Sequence, residues 1–169
     1  TIVGAQLTPA ATGALAATSW RLEELDLHRN PELGAAGVAA LLAAPTFPLR
    51  RLNLGACDLD AAALFALANA PCPLEALFLI NNDFSAAAAG PALAALSRLP
   101  RLRCLDVGYC RLSAANFKAL VEAAWPALTY LSVGSANVEF DGPYALGAAA
   151  FAGFPALEQL HLADAVLGR

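Results

Sequence analysis

The sequence predicts an α/β fold: a curved solenoid with short parallel strands on its concave face and helices on its convex face. Three observations predict it. A nine-residue phrase with the apolar spacing of a strand recurs six times in 169 residues. After the phrase, the apolar residues change to a helical period. A proline then closes the helical half in five units. Units of this kind cannot bury an apolar face alone and must stack on their neighbours.

In chain order, residues 2–7 (IVGAQL) overlay residues 54–59 (LGACDL), so a truncated unit comes first. Thr8 with Pro9 marks a helix start, since a hydroxyl caps the first turn and proline suits its first position. The complete phrases are LEELDLHRN (22–30), LRRLNLGAC (49–57), LEALFLINN (74–82), LRCLDVGYC (102–110), LTYLSVGSA (128–136) and LEQLHLADA (157–165). Their starts are 27, 25, 28, 26 and 29 residues apart. Apolar residues at i and i+2 of a phrase fall on one side of a strand. One more apolar residue follows each phrase: Leu33, Leu59, Phe84, Leu112, Val138 and Leu167. Val38, Leu41 and Leu42 then fall at i, i+3, i+4, and Phe117, Leu120, Val121 and Ala124 keep that period. Asp60, Ser85 and Ser113 stand where helix caps are wanted, and Pro45, Pro71, Pro100, Pro126 and Pro155 where helices stop. Strand–helix–strand succession makes the strands parallel. Strands sit about 4.8 Å apart, closer than helices can, so the stack curves.

Each phrase reads L-x-x-L-x-[LV]-x-x-[NCA], and with these residues the chain resembles the leucine-rich repeat family over essentially its whole length. The continuation NPELGAAGVAALLAAP (30–45) is similar to the helix-containing, ribonuclease-inhibitor-like subtype. The expected organisation is one domain over 1–169, with a truncated unit at 1–21, five full units at 22–156 and a truncated unit at 157–169. The chain has no initiator Met and is expected to be part of a longer protein. The sequence departs from the family at the Asn position, which holds Asn30, Cys57, Asn82, Cys110, Ala136 and Ala165. Alanine cannot bond neighbouring backbone groups, so the C-terminal part of that ladder is expected to be looser or helped by water.

Composition removes several classes of function. Apolar residues make up 59% and charged residues 14%. Residues 1–20 carry no charge, but their threonines, Gln6 and Ser19 make them too polar for a span of about 20 apolar residues. They also lack the positive start of a signal peptide. The run at 142–157 is broken by Pro143, Gly147, Gly153 and Pro155. No membrane insertion is expected. A net charge of −4 argues against a nucleic-acid partner, which needs a basic stripe. Cys57, Cys72, Cys104 and Cys110 form no C-x-x-C pair and have no ligand spacing with histidine, so neither a metal nor a cofactor is expected. Cys57 and Cys110 lie two strand steps apart, about 10 Å, too far for a disulfide. They are expected to be buried free thiols in a reducing, cytoplasmic compartment, with Cys104 the reactive one.

Catalysis is not expected. His28 and His161 are five units apart, about 24 Å, and cannot cooperate. Asp106, Ser132 and His161 would lie side by side, but Asp106 would contact Ser132 rather than orient His161. An open sheet offers neither an oxyanion hole nor exclusion of water. GAAG (34–37) is a loop-to-helix turn and a weak phosphate candidate.

The candidate site is the concave face. Residues between and after the repeated leucines carry 11 of the charged residues, although the chain has only 10 basic and 14 acidic side chains in all. One column reads Glu23, Arg50, Glu75, Arg103, Thr129, Glu158, alternating in sign over four strands. Phe78, Ile80, Tyr109 and Tyr130 are expected to form one patch, edged by Arg51, Arg103 and Asp106. Apolar anchors with Tyr and Arg are typical of protein-binding hot spots. The outer helices are alanine-rich, with Lys118 and Glu122 as an i, i+4 pair. The resemblance implies a protein-recognition module holding another protein on the concave face. It also implies alternatives: the scaffold of a GTPase activator, a ubiquitin-ligase substrate adaptor or an immune-type receptor sensor region.

Truncated terminal units would expose core leucines such as Leu157 and Leu160, and solenoids need capping units. The isolated 169-residue chain is therefore expected to self-associate. Light scattering coupled to gel filtration checks this, and a monodisperse, cooperatively melting monomer contradicts it.

Overall fold

The computed structural model describes residues 1–43, 48–134 and 151–162. Pro45, Ser135, Ala136, Val138, Ala163, Asp164, Ala165 and Leu167, which enter the expectations above, lie outside the described residues.

Six three-residue strands form one open, all-parallel sheet in the order β1-β2-β3-β4-β5-β6. They are β1 (Glu24–Asp26), β2 (Arg51–Asn53), β3 (Ala76–Phe78), β4 (Cys104–Asp106), β5 (Tyr130–Ser132) and β6 (Gln159–His161). The helices alternate with them: α1 (Pro9–Ala16), α2 (Gly34–Leu42), α3 (Ala61–Ala68), α4 (Ala89–Ala95) and α5 (Ala114–Glu122). A 3-10 turn at Leu96–Arg98 extends α4. Each helix from α1 to α4 packs on the one that follows. The central leucines of the strands, Leu25, Leu52, Leu77, Leu105 and Leu131, are buried in one core with the helix residues. That core occupies one face of the sheet, and the other face is left open.

The register follows the sequence phrase. Leu25, Leu52, Leu77, Leu105, Leu131 and Leu160 are mutual partners across the sheet. Beyond the strands, the next N–H donates to the following unit at each step: Leu27 to Asn53 O, Leu54 to Phe78 O, Leu79 to Asp106 O, Val107 to Ser132 O and Val133 to His161 O, all at 2.8–2.9 Å. Residues 2–7 share this pattern. Ile2 N donates to Asp26 O as Leu54 N does to Phe78 O, and Gly4 N to His28 O as Ala56 N does to Ile80 O.

A buried ladder ties the loops together. Asn82 Oδ1 accepts from the N–H groups of Cys57 and Leu59, and Asn82 Nδ2 donates to the carbonyls of Leu54 and Leu79. Asn30 does the same toward the preceding segment, accepting from Ala5 and Leu7 and donating to Ile2 and Leu27. At the alternate positions, the Cys57 thiol donates to Leu27 O and the Cys110 thiol to Leu79 O, each at 3.1 Å. A thiol has no second donor and only a weak acceptor. Backbone supplies the difference: Gly34 N donates to Cys57 O and Phe84 N to Cys110 O.

Helix starts follow the sequence at three of four sites. Thr8, Asp60 and Ser113 each accept from an N–H three residues on, and Pro9 takes the first position of α1. Ser85 does not cap α4. That helix starts at Ala89 without a side-chain cap, because Pro91 suits only a first turn and so draws the start close to itself. The loop before it is held from the neighbouring helix, where buried Asn116 Nδ2 donates to Phe84 O and Ala86 O at 2.8 Å. Helix ends fall earlier than the prolines: α3 stops at Ala68, before Pro71, and α5 at Glu122, before Pro126. Ala124 therefore lies past α5 and is exposed. The free C-terminal carbonyl of Leu120 is met by Trp125, whose indole N–H donates to it at 2.9 Å. Trp125 N–H in turn donates to Gly153 O, and its ring stacks on Phe154, which anchors residues 151–162. Leu160 is exposed and Leu157 half-buried.

Replacing Asn82 with Ala removes four hydrogen bonds and leaves buried donors and acceptors unmet. The expected loss is about 3 kcal/mol or more, while Cys110→Ala, which removes one weak donor, costs about 1–2 kcal/mol. Urea denaturation of the two variants compares them directly.

Candidate functional site

The open face is built from side chains that alternate with the buried leucines. Most of the expected positions are exposed or half-buried, but Gly55, Ala76, Gly108 and Ser132 are buried. These are small residues overshadowed by larger neighbours. Ala76 sits in register between Arg51 and Cys104, and the His28 imidazole lies so close to Gly55 that a Cβ there would collide with it.

Five charged side chains on or beside the first three strands are paired. Arg50 is bonded to Glu75 and lies 3.8 Å from Glu23, and Arg51 lies 3.6 Å from Glu24. The alternating column therefore pairs over its first three members and then stops. Arg103 enters no ion pair among the described residues, because Glu75 turns to Arg50. Pairs this exposed contribute roughly 0–1 kcal/mol each, so their main effect is to fix side-chain positions.

The seven candidate residues turn to several different neighbours. Arg51 and Phe78 meet, with the guanidinium 5.6 Å over the ring centre, a cation–π contact. They line a cavity of about 340 Å³ with Glu24, Asp26 and Asn53. Tyr130 turns the other way, and its ring lies 5.1 Å from that of His161 on β6. Phe78 and Tyr130 are two strands apart and out of register, since Phe78 pairs with Asp106, whereas Tyr130 pairs with Cys104. Ile80 is half-buried, beyond the end of β3. Tyr109 stands on the loop after β4, where it lines a second cavity of about 360 Å³ with Pro31, Asp58, Asp83 and Arg111. Asp106 is committed in part to the backbone: its Oδ1 accepts from Gly108 N at 2.9 Å. Asp26 and Asn53 make the same turn with His28 and Gly55. The recurrence of Asp or Asn at this phrase position, twice followed by glycine, is the signal for this turn.

The thiols are electrostatically quiet. Burial pushes all four upward, Cys110 most, to about 12. Cys104 is half-buried; burial raises it, the Asp106 carboxylate adds to the rise, and Arg51 partly offsets it. This direction runs against the reactive Cys104 expected above, since the thiolate is the nucleophile and this site disfavours it. Ser132 lies between Asp106 and His161 in register, and the His161 ring packs on Tyr130. Among the described residues no group of three His, Cys, Asp or Glu side chains could hold a metal ion, and no helix is long and apolar enough to cross a membrane. No family model matches the chain, and no curated protein matches it in sequence.

Cys110 sets a pH limit on stability. Its ordinary value is 9.0 and its folded value about 12, so folding favours the protonated thiol. That contribution is whole below pH 9 and is lost as pH rises from about 9 toward 12. The expected result is a falling urea midpoint over that window that flattens in Cys110→Ala. In the native protein at pH 8, iodoacetamide is expected to leave Cys110 unmodified.

Proposed function

We propose that the chain is a non-enzymatic protein-recognition module of the leucine-rich repeat type, a curved solenoid whose open sheet face holds another protein. The observation that carries this reading is that the face is open yet its side chains are already positioned. Arg51 is fixed between Glu24 and Phe78, and Arg50 between Glu23 and Glu75. Positioned arginines and aromatic rings lose little freedom on binding, which is the usual basis of a hot spot. The in-phase hydrogen bonds of successive phrases support the repeat reading, because every unit offers the next the same donors and acceptors. Arg103, exposed and without an ion pair among the described residues, adds a charge that a partner can engage. Buried, protonated thiols suit a reducing cytoplasm. Among the described residues the face gives no enclosed, water-free centre, which fits binding rather than catalysis.

The test is selection of a displayed protein or peptide library on the immobilised chain. Binders are expected to lose about thirtyfold or more in affinity against Phe78→Ser/Arg103→Ala, since each hot-spot residue is typically worth at least 2 kcal/mol. The same binders are expected to be indifferent to Lys118→Ala on α5. Binders that follow the α5 change and ignore the sheet face would place recognition on the helices instead.

A further inference from the structure

The loops after β1 to β4, and the equivalent turn before β1, each pass through a left-handed residue at one shared position: Gly4, Arg29, Ala56, Asn81 and Tyr109, at φ values from 52° to 62°, and in three of them a second follows two residues on, at Gln6, Asp58 and Arg111. The N–H of each donates to the neighbouring unit, as Tyr109 N does to Gly134 O at 2.8 Å, so the stack imposes the conformation. Glycine adopts it freely and asparagine readily, while a bulky aromatic residue is the least suited. Tyr109 receives no core packing in exchange. It is 58% exposed, more than any other large apolar side chain among the described residues.

Tyr109 lines the 360 Å³ cavity together with Pro31, Asp58, Asp83 and Arg111. Arg111 lies 3.5 Å from Asp83. Asp83 also bonds Ser85, which, with Arg111 beside it, holds its carboxyl below the ordinary range. That pair is self-contained. Asp58 is exposed and enters no ion pair among the described residues, so the cavity that Tyr109 lines keeps one unmatched negative charge.

We propose that this loop cavity seats a basic side chain, arginine or lysine, of the protein partner. The cation lies over the Tyr109 ring and pairs with the Asp58 carboxylate, a combination in which the ring quadrupole and the carboxylate attract the same charge. The proposal rests on the recognition-module reading and adds the partner's chemistry and a second contact beside the sheet face. An acidic group finds Arg111 already paired, and an apolar group would bury Asp58 unmatched.

Tyr109→Gly makes the test independent of folding, because glycine suits the backbone better and is expected to leave the thermal midpoint unchanged or raised. The probe is an acetylated, amidated hexa-arginine peptide in low-salt titration calorimetry, with hexaglutamate as the opposite charge. Tyr109→Gly and Asp58→Asn are each expected to weaken hexa-arginine binding about twofold to thirtyfold. Tyr109→Phe, which keeps the ring, is expected to retain it, as is Glu122→Gln on α5. Equal hexa-arginine affinity for wild type and Tyr109→Gly overturns the proposal, and so does preferential binding of hexaglutamate. If selected binders respond to Phe78→Ser/Arg103→Ala but ignore Tyr109→Gly and Asp58→Asn, this proposal fails and the module reading stands. If they ignore both sets, both fail.

Discussion

The structure depends on how each loop satisfies its neighbour's buried backbone. Each described loop leaves its strand through residues whose N–H and C=O groups are out of water and outside a regular ladder. Asn30 and Asn82 each meet two such donors and two such acceptors of adjoining backbone. Cys57 and Cys110 alternate with them and give one thiol hydrogen each, with backbone bonds covering the rest. An unmet buried polar group costs about 1–3 kcal/mol, so without these side chains the units would not stack in this register.

That constraint also shapes the candidate site. In the described loops the chain turns through a left-handed residue that presents its N–H to the neighbouring unit, so a side chain projects at that position regardless of its type. In most units that residue is small or polar. In one it is Tyr109, and the cost of placing it there brings no packing in return. On the strands, the same need for tight turns commits part of Asp26, Asn53 and Asp106 to the backbone. The free chemistry of the open face is therefore narrower than its composition suggests: two braced arginines, two (Arg29 and Arg103) without an ion pair among the described residues, and rings facing different neighbours.

Much of the site was legible in the sequence, but its grouping was not. The repeat spacing identified which side chains leave the core, and it placed Arg51, Phe78, Arg103 and Tyr130 on the open face. It treated them as one patch because it gives strand number and alternation without side-chain direction. Arg51 leans onto Phe78 and Tyr130 leans onto His161, and those choices depend on which neighbour offers a charge or a ring. Cys104 shows the same limit. Its position on the face suggested a reactive thiol, but the cover from its neighbours raises it instead.

The sequence by itself determined the order of elements, the parallel pairing and the register. Each of these follows from apolar spacing repeated at nearly constant length, and a one-residue slip would turn every leucine outward. It also marked three of the four helix caps, because a cap is local chemistry. Only the tertiary structure decided the start of α4, the closure of α5 by Trp125 and the pairing of Glu75 with Arg50 rather than with Arg103. Each of these settles a competition between partners separated by many residues or lying in different units, and geometry selects one of them.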